Sequence, residues 1–260
     1  MPKGARTDCR RPDSSATIPD VPGSAAQYAE ILRSGRWFQG LPAALQTQLL
    51  GVATVRSLGE GEHLFQRGDP FCGLYAIVDG SVRITGASEA GKEALLTLIE
   101  PPSWFGEIAV FDREARTHDA IGEVPSTLVR VAPGPLDALL QAEPLFWHHL
   151  GALMASKVRL LFTLLEDLAL FPIDVRLARR LLLMSGAYGE WRDRSRRVVE
   201  VSQEQLAAML GSSRQTINTV LKQFASQGIL RVAYGQIELL DGPALMRRAE
   251  LAEGTGGAQR

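Results

Sequence analysis

Residues 199–240 read VEVSQEQLAAMLGSSRQTINTVLKQFASQGILRVAYGQIELL, and they predict a helix-turn-helix. Ser202 followed by Gln205 makes a capping box that starts a short helix. Gly211 ends that helix, and a second apolar stripe begins a few residues later. Two short helices joined at a glycine are typical of helix-turn-helix motifs.

The second helix of the motif, residues 213–226, is amphipathic. We expect it to begin with another capping box, formed by Ser212 and Gln215. Six polar side chains remain on its outward face for DNA: Ser213, Arg214, Gln215, Asn218, Thr219 and Lys222. Arginine, glutamine and asparagine can bond base edges, and lysine neutralises phosphate. A merely solvated face is the alternative, but the hairpin at 229–240, typical of a wing, favours DNA.

A long apolar helix precedes this motif. It carries a stripe with intervals of four, four, three, four and three residues: Leu150, Met154, Val158, Leu161, Leu165 and Leu168. This spacing is close to the 3.5-residue repeat of a coiled coil. A second apolar stripe would face the chain's own β-domain, so we expect the first to face another copy of the helix in a homodimer. A single buried core helix is the alternative. Pro172 is predicted to end the helix.

Between Val52 and Val131 the pattern changes to short apolar runs, such as LYAIV and TLVRVA, separated by turns with glycine, proline or aspartate. Many short strands with regular turns predict a β-sandwich, barrel or jelly roll. We therefore expect an α+β protein with an N-terminal double-stranded β-helix or jelly roll, a long dimerisation helix and a C-terminal winged helix-turn-helix. The predicted domains are a disordered tail at 1–25, the β-roll at 26–145, the dimerisation helix at 146–171, the DNA-binding domain at 172–245 and a second tail at 246–260.

Composition and charge narrow the class of protein. Residues 1–171 carry 15 basic and 20 acidic side chains, whereas residues 172–260 carry 13 and 9, which agrees with a C-terminal part that meets a polyanion. The basic run at 191–197 contacts phosphates or is a solvated loop. Only two cysteines, Cys9 and Cys72, are present, and this argues against a disulfide framework or an iron–sulfur site.

Several functions and locations are not expected. The N-terminus has no apolar segment of a secretory signal, and no segment is apolar enough to span a bilayer, so we expect a cytoplasmic protein without a membrane partner. No P-loop, GxSxG or HExxH motif is present, so we do not expect an enzyme. No histidine pair has a diagnostic spacing, and neither a metal nor haem is predicted.

Residues 106–120, GEIAVFDREARTHDA, raise the question of an anion pocket. A glycine, a carboxylate and a short apolar run are followed, ten residues after Gly106, by Arg116 and Thr117. This combination could hold a phosphate. An ordinary surface turn after a strand is the alternative.

The order of β-roll, long helix and winged helix-turn-helix resembles the cyclic-AMP receptor and fumarate–nitrate regulator (Crp/Fnr) superfamily of bacterial transcription factors. GEIAVF followed by ARTHDA is similar to its phosphate-binding cassette, and LGSSRQTINTVLKQFASQGIL is similar to its recognition helix. LYAIVDGSVRI, with Gly80, is similar to its glycine-turned hairpin. The resemblance covers roughly residues 27–242.

The resemblance implies a ligand site at Gly106, Glu107, Ile108, Ala109, Arg116 and Thr117. In the family pattern, a short helix beginning near Gly106 offers backbone N–H groups to an anion. Glu107 would accept a hydrogen bond from a ribose hydroxyl, Arg116 would pair with the cyclic phosphate, and Thr117 would donate to it. A salt bridge between Arg116 and a carboxylate such as Glu107 is the structural alternative.

The effector is left open by two departures from the family pattern. Leu161 and Phe162 stand where the best-known member has two hydroxyl residues that contact adenine, and His118 replaces a small apolar residue. Cyclic AMP, cyclic GMP and cyclic di-GMP are therefore all candidates. Gln215 and Thr219 replace a glutamate and an arginine of the recognition helix, so the DNA half-site is expected to differ.

Together these patterns predict a homodimeric, sequence-specific DNA-binding transcription regulator, controlled allosterically by a small anionic effector in the β-roll. The expected partners are a palindromic double-stranded operator and a second copy of the chain, with RNA polymerase as a further candidate. Two alternatives stay open: a ligand-independent regulator of the same fold, and a ligand-binding adaptor whose helix-turn-helix binds protein.

Overall fold

The computed structural model describes residues 24–87, 93–186 and 198–250. By its internal contacts the chain divides into two compact units, Met1–Ser156 and Lys157–Arg260. Most of the predicted N-terminal tail, residues 1–23, and the basic run at 191–197 lie outside the described residues.

Short helices open the first unit: a 3₁₀ turn at Ser24–Tyr28, α1 at Ala29–Arg33, α2 at Arg36–Gln39 and α3 at Ala43–Val52. Pro42 stands immediately before α3, where its fixed φ suits a helix start. Leu32, Phe38 and Leu49 are completely buried because these helices cover one face of the β-roll.

The β-roll follows, with eight strands in its described part: β1 at Thr54–Leu58, β2 at His63–Phe65, β3 at Leu74–Asp79, β4 at Val82–Ala87, β5 at Glu93–Ile99, β6 at Trp104–Phe105, β7 at Asp119–Gly122 and β8 at Ser126–Val131. They form two antiparallel sheets in the orders β1-β8-β3-β6 and β2-β7-β4-β5. The predicted jelly roll is therefore confirmed.

Strand β3 is buried on both of its faces, which explains its uninterrupted apolar run LYAIV. Tyr75 and Ile77 pack in a core that includes Val82 of the other sheet. Leu74 and Ala76 point the opposite way and pack with the helices, as the alternation of side chains along a strand requires.

Two helices follow the roll, α5 at Pro133–Ala142 and the long α6 at Leu145–Leu170. The division between the two units falls inside α6. Pro172 comes after α6 and is the N-cap of α7, Ile173–Ser185, so the predicted helix end is confirmed. Among the described residues, no helix is both long and apolar enough to cross a membrane.

The rest of the second unit comprises β9 at Val198–Val199, α8 at Gln203–Met209, α9 at Arg214–Ser226, β10 at Leu230–Ala233, β11 at Gln236–Leu239 and α10 at Gly242–Glu250. The three strands form one sheet in the order β10-β11-β9. The predicted helix-turn-helix and wing are therefore present. The second tail was predicted from residue 246, whereas α10 continues to Glu250 because Leu245 and Ala249, one turn apart, are both buried.

Candidate functional site

The predicted cassette begins where β6 ends. Gly106 has a φ of +93°, which residues with a side chain rarely adopt, and a Cβ there would lie 2.9 Å from Arg116 Nη1. Glu107 is the N-cap of the predicted short helix, which is present as α4, Ile108–Asp112. Because α4 has only five residues, it contributes little dipole. The buried positive charge of the cassette is Arg116.

Arg116 is the central side chain of the cassette and is only 5% exposed. Its Nη1 donates to the carbonyl oxygen of Gly106 at 3.0 Å, and its Nη2 donates to the carbonyl oxygen of Gly73 at 2.6 Å. Nη2 also lies 3.3 Å from the Cys72 sulfur. The Nε atom is buried without a hydrogen-bond partner among the described residues. The chain thus positions the guanidinium through Nη1 and Nη2 and leaves its Nε atom without a hydrogen-bond partner.

Aromatic rings form the wall behind this guanidinium. Its central carbon lies 4.2 Å from the ring centroid of Phe65, 5.3 Å from that of Phe71 and 5.8 Å from that of Tyr75. The Tyr75 hydroxyl donates to the Cys72 sulfur at 3.3 Å, and burial, reinforced by Cys72, raises the pKa of Tyr75. Tyr75 is therefore a neutral donor throughout the physiological range.

The turn that supplies partners to Arg116 was not part of the sequence prediction. Phe71, Cys72 and Gly73 stand in the turn before β3, more than 40 residues before Arg116 in the chain. The sequence predicted only a turn at RGDP, residues 67–70, immediately before them. The available signal was the arginine itself, because a buried guanidinium requires acceptors from elsewhere in the fold.

The other predicted ligand residues differ in accessibility. Glu107 and Ala109 are each 3% exposed, whereas Ile108 and Thr117 are exposed. The Thr117 hydroxyl lies 2.9 Å from His118 Nδ1. Burial lowers the pKa of His118, the nearby Arg67 lowers it further, and Asp119 opposes them. The structure thus brings Gly106 into contact with Arg116, and it pairs the Thr117 hydroxyl with His118.

Arg113 fixes the far end of the cassette helix. It is the C-cap of α4 with a φ of +60°, and its Nη2 lies 2.5 Å from Asp137 Oδ1 on α5. The guanidinium also lies 5.4 Å from the Phe71 ring centroid. The sequence prediction did not include this residue, since a left-handed arginine has no signature in a single sequence.

The two helices of the helix-turn-helix start with serine caps, but only one cap was predicted correctly. Ser202 and Gln205 form the predicted capping box of α8. The box of Ser212 and Gln215 is wrong: the N-cap of α9 is Ser213, whose hydroxyl accepts from Thr216 N at 3.0 Å. The N–H of Ser212 donates instead to the carbonyl oxygen of Ala207, on α8, at 2.9 Å. Ser212 therefore still belongs to the end of α8.

Helix α9 turns its polar side chains outward. Ile217, Leu221 and Phe224 are completely buried on one side. The six residues predicted to contact DNA form the other side, with only Asn218 half-buried and the rest exposed: Ser213, Arg214, Gln215, Asn218, Thr219 and Lys222. The Thr219 hydroxyl donates to the carbonyl oxygen of Gln215 at 3.0 Å, so it is partly occupied within the helix. Arg214, Gln215 and Lys222 are the side chains most available to nucleic acid.

The wing adds an exposed aromatic residue that the sequence prediction did not single out. Strands β10 and β11 pair from Leu230 opposite Leu239 to Ala233 opposite Gln236, which leaves Tyr234 and Gly235 at the tip. The Tyr234 side chain is fully exposed. A phenol at this position can donate a hydrogen bond to a phosphate.

The apolar stripe of α6 is divided between buried and exposed positions. Leu150 is completely buried in the core beside the β-roll, and Met154 is half-buried. Val158 is 42% exposed, and Leu161, Leu165 and Leu168 are each 59% exposed. The C-terminal half of the stripe is therefore available to a partner, whereas Leu150 is not.

Comparison with known proteins assigns the chain to a class. The family model of the cyclic nucleotide-binding domain matches residues 55–143, and that of the Crp-like helix-turn-helix domain matches residues 175–248. Fold and matches together define a DNA-binding transcription regulator with a cyclic nucleotide-binding domain. The predicted resemblance is confirmed, and the chain belongs to the Crp/Fnr family.

Two transcription regulators are similar to this chain along most of its length. The CRP-like cAMP-activated global transcriptional regulator of Mycobacterium tuberculosis is 32% identical over 225 residues, which cover 85% of this chain and 99% of that protein. The Cyclic AMP receptor protein of Thermus thermophilus is 28% identical, with 80% and 94% covered.

Solved structures agree with this assignment. A CRP/FNR-family transcriptional regulator of Thermus thermophilus is 29% identical, covers 75% of this chain and 98% of its own, and has a TM-score of 0.55. FixK2 of Bradyrhizobium japonicum has a TM-score of 0.67 at 22% identity, with 75% and 96% covered, and supports the fold alone.

Proposed function

We propose that this regulator is a homodimer whose β-roll binds a cyclic nucleotide and thereby controls binding to a palindromic operator. The observation that carries the proposal is the buried guanidinium of Arg116, which keeps a free Nε donor. A buried cation is costly unless it is paired. A phosphate oxygen would supply a charge-assisted hydrogen bond and the missing negative charge.

Glu107 and Thr117 complete the proposed nucleotide site. The Glu107 carboxylate is buried on the same turn as Gly106, and we assign to it the acceptor for a ribose hydroxyl. The exposed Thr117 hydroxyl would turn from His118 toward the phosphate. Both roles need a ligand that carries a sugar and a phosphate, so inorganic phosphate alone would bind much more weakly.

Cyclic AMP is the first candidate because the similar proteins of Mycobacterium tuberculosis and Thermus thermophilus are named for it. Leu161 and Phe162 offer no hydrogen bond to adenine. Cyclic GMP and cyclic di-GMP therefore belong in the same test.

A second copy of the chain is the proposed occupant of the exposed stripe on α6. Val158, Leu161, Leu165 and Leu168 repeat at three and four residues, and Leu is 59% exposed at each of the last three positions. The repeat is that of a coiled-coil seam, which another copy of the same helix fits by symmetry. The dimer would place two copies of α9 about 34 Å apart, one turn of the duplex, and this predicts an inverted-repeat operator.

Nucleotide binding would act by a population shift. A ligand can favour the DNA-binding arrangement of the dimer only by as much as it binds that arrangement more tightly. The proposal therefore predicts reciprocity, in which operator DNA tightens nucleotide binding by the same factor.

Titration calorimetry of the full chain with cyclic AMP, cyclic GMP and cyclic di-GMP tests the nucleotide site. We expect one nucleotide to bind at about micromolar concentration and Arg116→Gln to weaken it by at least 100-fold, since a charge-assisted pair is lost. Arg83→Gln is the matched control, because Arg83 pairs with Glu123 on the roll outside the cassette. Absence of binding by the wild type, or equal binding by Arg116→Gln, would refute the proposed effector site.

A ligand-independent regulator is the second candidate. It is favoured by the acceptors that Arg116 already has in Gly73, Gly106 and Cys72. In that case the wild type binds no nucleotide, and its affinity for the operator is the same with and without each one.

A further inference from the structure

The end of α6 is tied to α7 by a largely buried ion pair. Asp167 is 7% exposed, and its Oδ1 accepts a hydrogen bond from Arg179 Nη1 at 3.0 Å. The guanidinium of Arg179 also lies 4.4 Å from the ring centroid of Phe171, in the connection between α6 and α7. Arg179 therefore contacts both the last turns of α6 and the connection that follows them.

The same arginine holds the last helix of the chain. Arg179 Nε donates to the carbonyl oxygen of Ala249 at 3.1 Å, at the end of α10. Because the guanidinium is planar and rigid, its contacts with Asp167 and Ala249 move together. The position of α10 is thus linked to that of α6.

A second arginine continues from α10 to the recognition helix α9. Arg248 Nη2 donates to Gln227 Oε1, at the C-cap of α9, at 3.2 Å. Its guanidinium lies 5.9 Å from the ring centroid of Phe224, which is completely buried on α9. Arg248 Nη1 also approaches Asp174 Oδ2 on α7 at 4.0 Å. Arg248 therefore contacts both the first turn of α7 and the end of α9.

We propose that α10 transmits displacements at the end of α6 to the recognition helix, with Arg179 and Arg248 as the positioning residues. The path runs from Asp167 through Arg179 to α10, and from Arg248 to the last turn of α9. It deepens the proposed function, because it rests on the assumption that a ligand in the β-roll moves α6. The contacts themselves do not depend on the identity of that ligand.

Hydrogen–deuterium exchange on the full chain without nucleotide or DNA tests the link. Asp167→Asn substitutes a residue of α6 and weakens its pair with Arg179 on α7, and Asp167 makes no hydrogen bond to α9 among the described residues. We expect this variant to speed exchange of the amides at 221–227 by about threefold or more. Arg248→Gln should speed exchange of the same amides, and adding Asp167→Asn to Arg248→Gln should then change them no further.

Arg247→Gln is the matched control, since it removes the same charge from the adjacent, exposed position of α10. Arg248→Lys should give an exchange rate between those of the wild type and Arg248→Gln. A lysine keeps the positive charge but lacks the planar guanidinium with its several donors. The link is refuted if Asp167→Asn leaves exchange at 221–227 unchanged, if its effect persists in the Arg248→Gln background, or if Arg247→Gln acts as strongly as Arg248→Gln. No nucleotide enters the measurement, so a failure of nucleotide binding would refute the effector site and leave this result standing.

Discussion

Arg116 donates a hydrogen bond to the carbonyl oxygen of Gly106, ten residues earlier in the chain. This single contact joins the two ends of the cassette across α4. The glycine both accepts the bond and leaves the space that the guanidinium occupies, so the cassette depends on the absence of a side chain at that position.

Gly106→Ala should therefore disturb the cassette. The new Cβ would lie 2.9 Å from Arg116 Nη1 at a φ of +93°, and we expect a loss of roughly 1–3 kcal/mol in the free energy of unfolding. Nucleotide affinity should fall as well, because the guanidinium must move. Urea denaturation and calorimetry measure the two effects. Gly51→Ala is the control: nothing lies within 4 Å of its Cβ position on α3, so the variant should be as stable as the wild type or more so.

Leu165→Glu should convert the dimer into a monomer. Leu165 is 59% exposed in the chain, so the fold should tolerate the change, whereas a buried carboxylate in each helix of a coiled-coil seam should raise the dissociation constant by roughly 100-fold or more. Sedimentation equilibrium measures it. Leu170→Glu is the control, since Leu170 is 70% exposed outside the repeat. If Leu165→Glu remains a dimer, the proposed seam is wrong.

Two positions on α9 should affect DNA binding in different ways. Lys222→Gln should weaken binding to all sequences about equally and reduce the salt dependence by about one phosphate contact per half-site. Arg214→Gln should cost roughly 1–3 kcal/mol of discrimination at one base pair of each half-site. The operator can be selected from random duplexes with the wild-type protein, and affinities measured by fluorescence anisotropy at several salt concentrations. Binding that is insensitive to salt would favour the adaptor instead.

The two neighbouring serines before α9 should differ in their contribution to stability. Ser213→Ala removes the cap that accepts from Thr216 N, and it should lower the free energy of unfolding by about 1 kcal/mol. Ser212→Ala should change it by less than about 0.5 kcal/mol, because its hydroxyl does not cap the helix. Chemical denaturation of both variants decides the question, and a larger loss from Ser212→Ala would contradict the observed cap.

His118 should make stability depend on pH below neutrality. Burial lowers the pKa of His118 from its ordinary value of 6.5, so the unfolded chain binds a proton at a higher pH than the folded one does. Stability is then lost as the pH falls below about 6.5. His118→Gln should reduce this slope between pH 5 and 7, measured by urea denaturation. Some slope should remain, because burial also lowers the pKa of His149. An identical slope in the variant would exclude His118 as a contributor.

The architecture could be predicted because its patterns are local. Alternating and helical periodicities, serine caps and the glycine turns each occupy a short stretch of consecutive residues, so a single sequence contains them. The capping error of one residue has the same origin. Ser212 and Ser213 each precede a polar residue by three positions, and only the backbone path after Gly211, whose φ is +58°, decides between them.

The contacts of Arg116 could not be predicted in this way. Gly73 and Cys72 are 43 and 44 residues away in the chain, and their role depends on how β3 and β6 pair. The contacts of α10 with Arg179 and through Arg248 were missed for a different reason: the chain after residue 245, which contains Ala249 and Arg248, was assigned to a tail. The buried Leu245 and Ala249, four residues apart, were the signal that the helix continues.

Through the exposed leucines of α6, the concentration of the protein in the cell would itself control operator occupancy, alongside the nucleotide. If the second copy covers Leu161, Leu165 and Leu168, the active species forms in proportion to the square of the monomer concentration at low abundance. A twofold change in expression would then alter operator occupancy by up to about fourfold before any nucleotide level changes. Transcription of the regulator's own gene would thus set the sensitivity with which its targets respond.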